Sequence, residues 1–185
     1  IHGFYNHATT DCDPDGINAS SAELARRGTT SWLPTTFTES SEHIREACVA
    51  IAEADEKRDE SFVGAHIQGI YLEGPFFTSK HVGAQNPAYL VDPSYEDFES
   101  WQSAAGGRIR KSALAAERDG SPEYCAQLAA EGVVTCIGHS DATYDEALTA
   151  VNAGATCFVH TYNGMRGLHH REPGIVGCAM TTPET

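Results

Sequence analysis

Three residues of this chain carry side chains suited to a divalent metal: Glu73 in "IYLEGPF", His139 in "VVTCIGH" and His160 in "TCFVHTYN". Each closes or lies near the end of a run rich in β-branched and aromatic residues and stands just before a polar loop. One carboxylate and two imidazoles drawn from separate strand ends leave a coordination position open, as a catalytic site requires. A metal held in this way polarises a carbonyl and acidifies a bound water. Singly the residues say little, because a lone strand-end histidine is commonly a hydrogen-bonded structural group and a glutamate before Gly-Pro is commonly a loop acid. Jointly they favour the metal. A second pattern overlaps the first: Cys136/His139 and Cys157/His160 are both Cys-x-x-His pairs, the spelling of a structural zinc knuckle. Residues an odd number apart on a strand point to opposite faces, so histidines facing the rim put the cysteines toward the helices. A knuckle also needs a tight turn between its ligands, and no knuckle is expected here.

The elements that must position these residues alternate along the chain. Residues 29–37, 65–76, 109–117, 133–139 and 156–163 read as buried strands. Residues 20–28, 40–59, 94–105, 121–132 and 143–154 have apolar positions three and four apart and read as helices. Thr143 with Glu146 spells a capping box, and Gly28, Gly132 and Gly154 stand where helices end. Alternating strands and helices imply parallel strands with right-handed crossovers. With "IHGFYN" counted as a strand there are about six, against the eight of a closed (β/α)8 barrel. The expected fold is therefore α/β, of the (β/α)8 TIM-barrel type and incomplete, with residues 1–185 forming one partial barrel domain. The chain reads as starting inside a strand and stopping at "TTPET" without a terminal helix, as a segment of a longer enzyme would. An open doubly wound sheet is the rival, but no Gly-x-Gly-x-x-Gly follows the first strand. Residues 77–93 are long enough for a substrate loop or lid.

Composition narrows the function classes. The 185 residues are 41% hydrophobic, enough for a sizeable core, and no run approaches the roughly 18 apolar residues of a membrane span. Twelve Lys and Arg against 26 Asp and Glu leave a formal charge of −14, which argues against a nucleic-acid partner. Any bound anion must be held locally. Six scattered cysteines, with no segment that marks export, read as reduced thiols of a cytoplasmic protein.

The motifs "YLEGPF", "KSALAAE", "GHSDAT" and "HTYNGMRGLHHREPG" occur in this order over most of the chain. They closely resemble those of the N-acetylglucosamine-6-phosphate deacetylase family of the amidohydrolase superfamily. The resemblance implies Glu73, His139 and His160 as metal ligands, and the 21 residues from 139 to 160 suit one helix and its return strand. It implies Asn163 and the backbone of Gly164 as holders of a sugar phosphate, with Arg171 reaching a phosphate in the neighbouring subunit of a homodimer. Arginine forks and fixed backbone N–H groups let an acidic protein bind such an anion. Ala84 and Gln85 match a loop that contacts the sugar, Gln85 standing where some members carry histidine. Arg166, His169 and His170 are expected to be solvated or structural. His2 matches the second residue of a His-x-His pair that supports a second ion in some members, so one or two ions, zinc or iron, are expected. The general acid/base aspartate is expected beyond Thr185, with Asp141 capping the following helix and this segment alone inactive.

The implied reaction is hydrolytic deacetylation of N-acetylglucosamine 6-phosphate to glucosamine 6-phosphate and acetate, in amino-sugar catabolism. N-acetylgalactosamine 6-phosphate is the alternative substrate. A sugar-phosphate-binding homologue without catalysis and a structural zinc module are the remaining alternatives.

Overall fold

The computed structural model describes residues 1–183 and 185. Its contacts divide the chain into two compact units, residues 1–72 with 96–110 and residues 73–95 with 111–185.

The first unit opens on an antiparallel hairpin, β1 (Gly3–Phe4) and β2 (His7–Ala8). The sequence predicted a single parallel strand here. Tyr5 and Asn6 both take left-handed backbone, with φ of 54° and 65°, and two such residues in succession reverse the chain. Helix α1 (Pro14–Arg26) begins six residues before the predicted start, with Asp13 capping it by accepting from the Asp15 amide and Pro14 at its first turn. Gly16 hides this start by weakening the helical signal, and a Cβ there would lie 2.4 Å from His7 Nδ1, so the His7 ring would have to shift. Strand β3 (Ser31–Trp32) leads to α2 (Ser41–Glu56), capped by Ser40. Ile44, Ala47, Cys48, Ile51 and Ala54 form the buried stripe of α2, at the three- and four-residue spacing of a helix face.

The predicted strand 65–76 is divided in two. Strand β4 (His66–Ile67) pairs parallel with β3, and β5 (Ile70–Glu73) follows. Gly69 between them has φ of 143° and no room for a side chain, since a Cβ would sit 2.3 Å from Arg110 Cγ. Helix α3 (Tyr95–Ala104) buries Phe98 and Trp101, and the Trp101 indole donates to the Ser41 carbonyl at 2.9 Å.

The second unit takes up the end of β6 (Ile109–Leu114) and continues through α4 (Ser121–Ala130), β7 (Val134–Ile137), α5 (Tyr144–Asn152) and β8 (Cys157–Phe158). These strands are parallel, with Lys111 opposite Val134 through Leu114 opposite Ile137, and Cys136 opposite Cys157. Parallel strands joined by helices are the architecture expected of an incomplete (β/α)8 barrel. The chain then forms α6 (Gly174–Thr181), a helix where none was expected. Its sequence, "GIVGCAMT", has two glycines, no charge and no side-chain cap, so burial of Ile175, Val176 and Cys178 stabilises it in place of local preference. The Glu172 carboxylate accepts from the amides of Gly174 and Tyr144, tying its start to that of α5.

Candidate metal centre

Glu73 is the last residue of β5, and His139 and His160 each stand two residues past a strand end, after β7 and β8. The structure brings the three together, with one ligand atom from each within 4.8 Å of the others. His139 Nε2 lies 3.3 Å from Glu73 Oε1 and 3.2 Å from His160 Nε2, and His160 Nε2 lies 4.0 Å from the same carboxylate oxygen. Glu73 and His139 are buried, while His160 is open to solvent.

Strand alternation is not what aims the histidines. Both adopt left-handed backbone, φ 46° at His139 and 36° at His160, a conformation unfavourable for residues with a Cβ by about 1–2 kcal/mol. Such strain persists only where the surroundings enforce it. Here the surroundings are tight. Gly138 packs where a Cβ would meet Val159 Cγ2 at 2.1 Å, and the left-handed Gly164 passes where a Cβ would meet His160 Cε1 at 3.3 Å and His139 Nδ1 at 3.4 Å. The His139 carbonyl accepts from the Thr78 amide, and the Gly164 carbonyl from the Ser140 amide.

Each imidazole is held by its other nitrogen. His139 Nδ1 meets the His81 carbonyl at 2.8 Å and His160 Nδ1 meets the Asn163 carbonyl at 2.8 Å. A carbonyl only accepts, so both Nδ1 atoms carry the proton in the neutral rings and both Nε2 atoms present bare lone pairs. Two lone pairs 3.2 Å apart beside a carboxylate repel one another unless a proton or a metal cation lies among them. This donor set fits a divalent metal, and the carbonyl contacts are those that orient metal-bound histidines.

The remaining predicted residues divide. Gln85 is buried and its amide donates to Glu73 Oε1 at 3.4 Å, so it touches the carboxylate as well as lying in the predicted sugar loop. Its neighbour Ala84 is exposed. Asn163 and Gly164 join the site through their backbones, and Asn163 is exposed. Arg171 sits in an exposed stretch beside His169, whose ring accepts from the Arg171 amide. His2 belongs to the first unit, its ring stacked on Phe37 at 3.8 Å. Cys136 and Cys157 are outside the three-donor group and lie side by side on β7 and β8 near Lys111. Burial pushes the Cys136 thiol up, and hydrogen bonding from Cys136, aided by the Lys111 charge, pulls the Cys157 thiol down.

Asp141 corrects an expectation. Thr143 caps α5, forming the predicted box with Glu146, and Asp141 instead accepts from Lys80 at 2.6 Å, Arg166 at 2.9 Å and His81 at 3.1 Å. Its hydrogen bond to Lys80, with those to Arg166 and His81, holds its carboxyl well below the usual range. Arg166 is thus structural, as expected, and His81 links this cluster to the metal centre through its carbonyl. Glu117 was not singled out in the sequence. Its two oxygens accept from Ser140 Oγ at 2.6 Å and the Asp141 amide at 2.7 Å, fixing the turn that follows His139. Its place in "KSALAAE", at the end of a predicted strand, was the available signal.

No family model matches the chain. The N-acetylglucosamine-6-phosphate deacetylase of Vibrio furnissii is 38% identical over 183 residues, covering 99% of this chain and 45% of the relative. The N-acetylgalactosamine-6-phosphate deacetylase of Escherichia coli is 36% identical, covering 98% and 47%. Among solved structures, a Mycobacterium smegmatis N-acetyl-D-glucosamine-6-phosphate deacetylase variant in complex with N-acetyl-D-glucosamine-6-phosphate aligns with a TM-score of 0.87 and 31% identity, over 96% of this chain and 45% of that one. The chain thus spans about half the length of the curated relatives it matches. In sequence and in fold, over 96% or more of its length, the chain is similar to about half of an N-acetylglucosamine-6-phosphate deacetylase.

Proposed function

We propose that Glu73, His139 and His160 hold a divalent metal, zinc or iron, and that the whole protein hydrolyses the acetamide of N-acetylglucosamine 6-phosphate to glucosamine 6-phosphate and acetate. The observation that carries the metal is the meeting of two bare imidazole nitrogens 3.2 Å apart beside a buried carboxylate. When bound, the ion supplies polarisation of the acetamide carbonyl and a water acidified toward neutral pH. The chain's own residues supply position. The His81 and Asn163 carbonyls hold the ring tautomers, and Gln85 steadies the carboxylate of Glu73.

For the substrate, Asn163, the Gly164 backbone and Arg171 are the proposed phosphate contacts, with Arg171 acting across a homodimer, and Ala84 with Gln85 the proposed sugar contacts. His2 is the candidate ligand of a second ion. Residues 1–185 are then part of one barrel domain, working on a small sugar phosphate in the cytoplasm, without nucleic acid or membrane as partners. Six free thiols suit a reducing compartment, and no helix among the described residues is long and apolar enough to cross a membrane.

The Escherichia coli relative carries the second reading, N-acetylgalactosamine 6-phosphate as substrate. Both sugars offered in competition to the whole protein, with acetate release followed, decide between them. Metal analysis accompanies the assay. The proposal expects His139→Ala or His160→Ala to lower bound metal by at least one ion per chain and to abolish acetate release, and Cys136→Ser with Cys157→Ser to retain both. Histidine variants that bind as much metal as the unsubstituted protein overturn the ligand assignment, whereas metal bound without acetate release from either sugar leaves a sugar-phosphate-binding homologue.

A further inference from the structure

A second group of donors lies in the first unit, where no role has been assigned. Cys12, His43 and Glu46 each place a ligand atom within 4.8 Å of the others. Cys12 follows the short 3-10 turn Thr9–Asp11, and His43 and Glu46 stand three apart on the first turns of α2, on one face of the helix.

The hydrogen bonds around His43 repeat the logic of the first centre. His43 Nε2 meets the Thr10 carbonyl at 2.9 Å and therefore donates to it. The neutral ring then presents Nδ1 as a bare lone pair, and that atom faces Glu46 Oε2 at 3.2 Å. Two acceptors facing one another call for a proton or a cation between them. A protonated imidazole would make this an ordinary helix-surface ion pair. The third group argues for the cation, because that pair has no need of a thiol. Cys12 takes left-handed backbone with φ of 55°, and its Sγ lies 3.6 Å from the same Thr10 carbonyl that orients the ring. One backbone carbonyl thus braces both the thiol and the imidazole.

We propose that Cys12, His43 and Glu46 form a second, independent site for a thiophilic divalent cation of the zinc class. One sulfur, one nitrogen and one oxygen donor are a set that zinc accepts, with water or an added ligand completing the tetrahedron. Cys12 and Glu46 also border a groove formed with Pro14, Arg45, Val49, Ala50 and Glu53, which leaves space on the open side, and the Arg45 charge there is paired with Glu42 at 2.9 Å. Binding displaces the thiol proton to solvent, with no change of oxidation state.

Alkylation of Cys12 by iodoacetamide, read residue by residue by mass spectrometry on the whole protein, tests the site with and without added zinc. Zinc is expected to slow alkylation of Cys12 at least tenfold, a chelator to restore the rate, and Glu46→Gln to abolish most of the protection. Glu46→Gln keeps the side-chain size and leaves the Ser40 cap of α2 untouched, so loss of folding is not the expected cause. His139→Ala, which dismantles the proposed catalytic centre, should leave Cys12 protection intact, so the two assignments fail separately. A Cys12 alkylation rate indifferent to zinc, or protection that survives both Glu46→Gln and His43→Ala, would overturn the site.

Discussion

At His139 and His160 the decisive property is the shape of the backbone next to each ring, as much as the identity of the ring itself. A Cβ at Gly164 would meet His160 Cε1 at 3.3 Å, tighter than ordinary contact, and His139 Nδ1 at 3.4 Å, and Gly164 holds φ of 59°, a conformation that costs a residue with a Cβ about 1–2 kcal/mol. Gly164→Ala is therefore expected to destabilise the whole protein by about that amount and to push the rings apart. Denaturant unfolding and metal titration together check it: a variant with unchanged metal affinity would show that the close approach does not set the ring positions. The sequence displayed the three proposed ligands because a carboxylate and two imidazoles at strand ends are unusual residue types in those places. It did not display their supports. The His81 carbonyl that fixes the tautomer of His139 would be offered by any residue at position 81, so no choice of side chain reports it. The parity argument separated the cysteines from the histidines, but β7 ends at Ile137 and β8 at Phe158, and it is the left-handed turn at each histidine that sets its direction.

Among the elements, α2 and α5, each with a polar cap and an apolar stripe, were legible, and α6, assembled by burial, was not. The box at Thr143 and Glu146 forms as spelled, while α6 has no spelled start and no amphipathic face to betray it. The hairpin at residues 3–8 depends on two non-glycine residues taking positive φ, a choice that Tyr5 does not advertise. Between β7 and α5 the loop is ordered by a side chain from another element. Glu117, three residues past β6, accepts from Ser140 Oγ and the Asp141 amide, and Ser140 Oγ in turn accepts from the Ala116 and Ala142 amides. Hydrogen bonds to a charged acceptor are worth about 1.5–3 kcal/mol each. Glu117→Ala removes the acceptor of both donors and should lower stability by about 2–4 kcal/mol, since water entering the vacated space recovers part of the loss. The same variant should weaken metal binding, because His139 precedes the loosened turn. Calorimetric unfolding with a metal titration tests this, and a stability loss without any change in metal affinity would confine Glu117 to holding the fold.

For the whole protein, the proposed metal centre would make folding and ion binding one equilibrium. The native state brings two imidazole lone pairs and a carboxylate together, a convergence the unfolded chain does not suffer, so the ion-free fold carries a local repulsion that a cation reverses. An ion that binds the folded state alone stabilises it by about 4 kcal/mol when its free concentration is a thousand times its dissociation constant. A chelator should accordingly lower the melting temperature, and zinc or iron added back should restore it. The proposed Cys12 site contributes to the same measurement, so the comparison belongs in a Cys12→Ser background. There, replacing both His139 and His160 by alanine removes the repelling lone pairs together with the ligands. The doubly substituted protein should melt at a temperature that neither chelator nor metal changes, and in the absence of metal it should lose less than its cavities alone would predict. A melting temperature that still rises with added metal in that protein would place the stabilising ion somewhere other than at Glu73, His139 and His160.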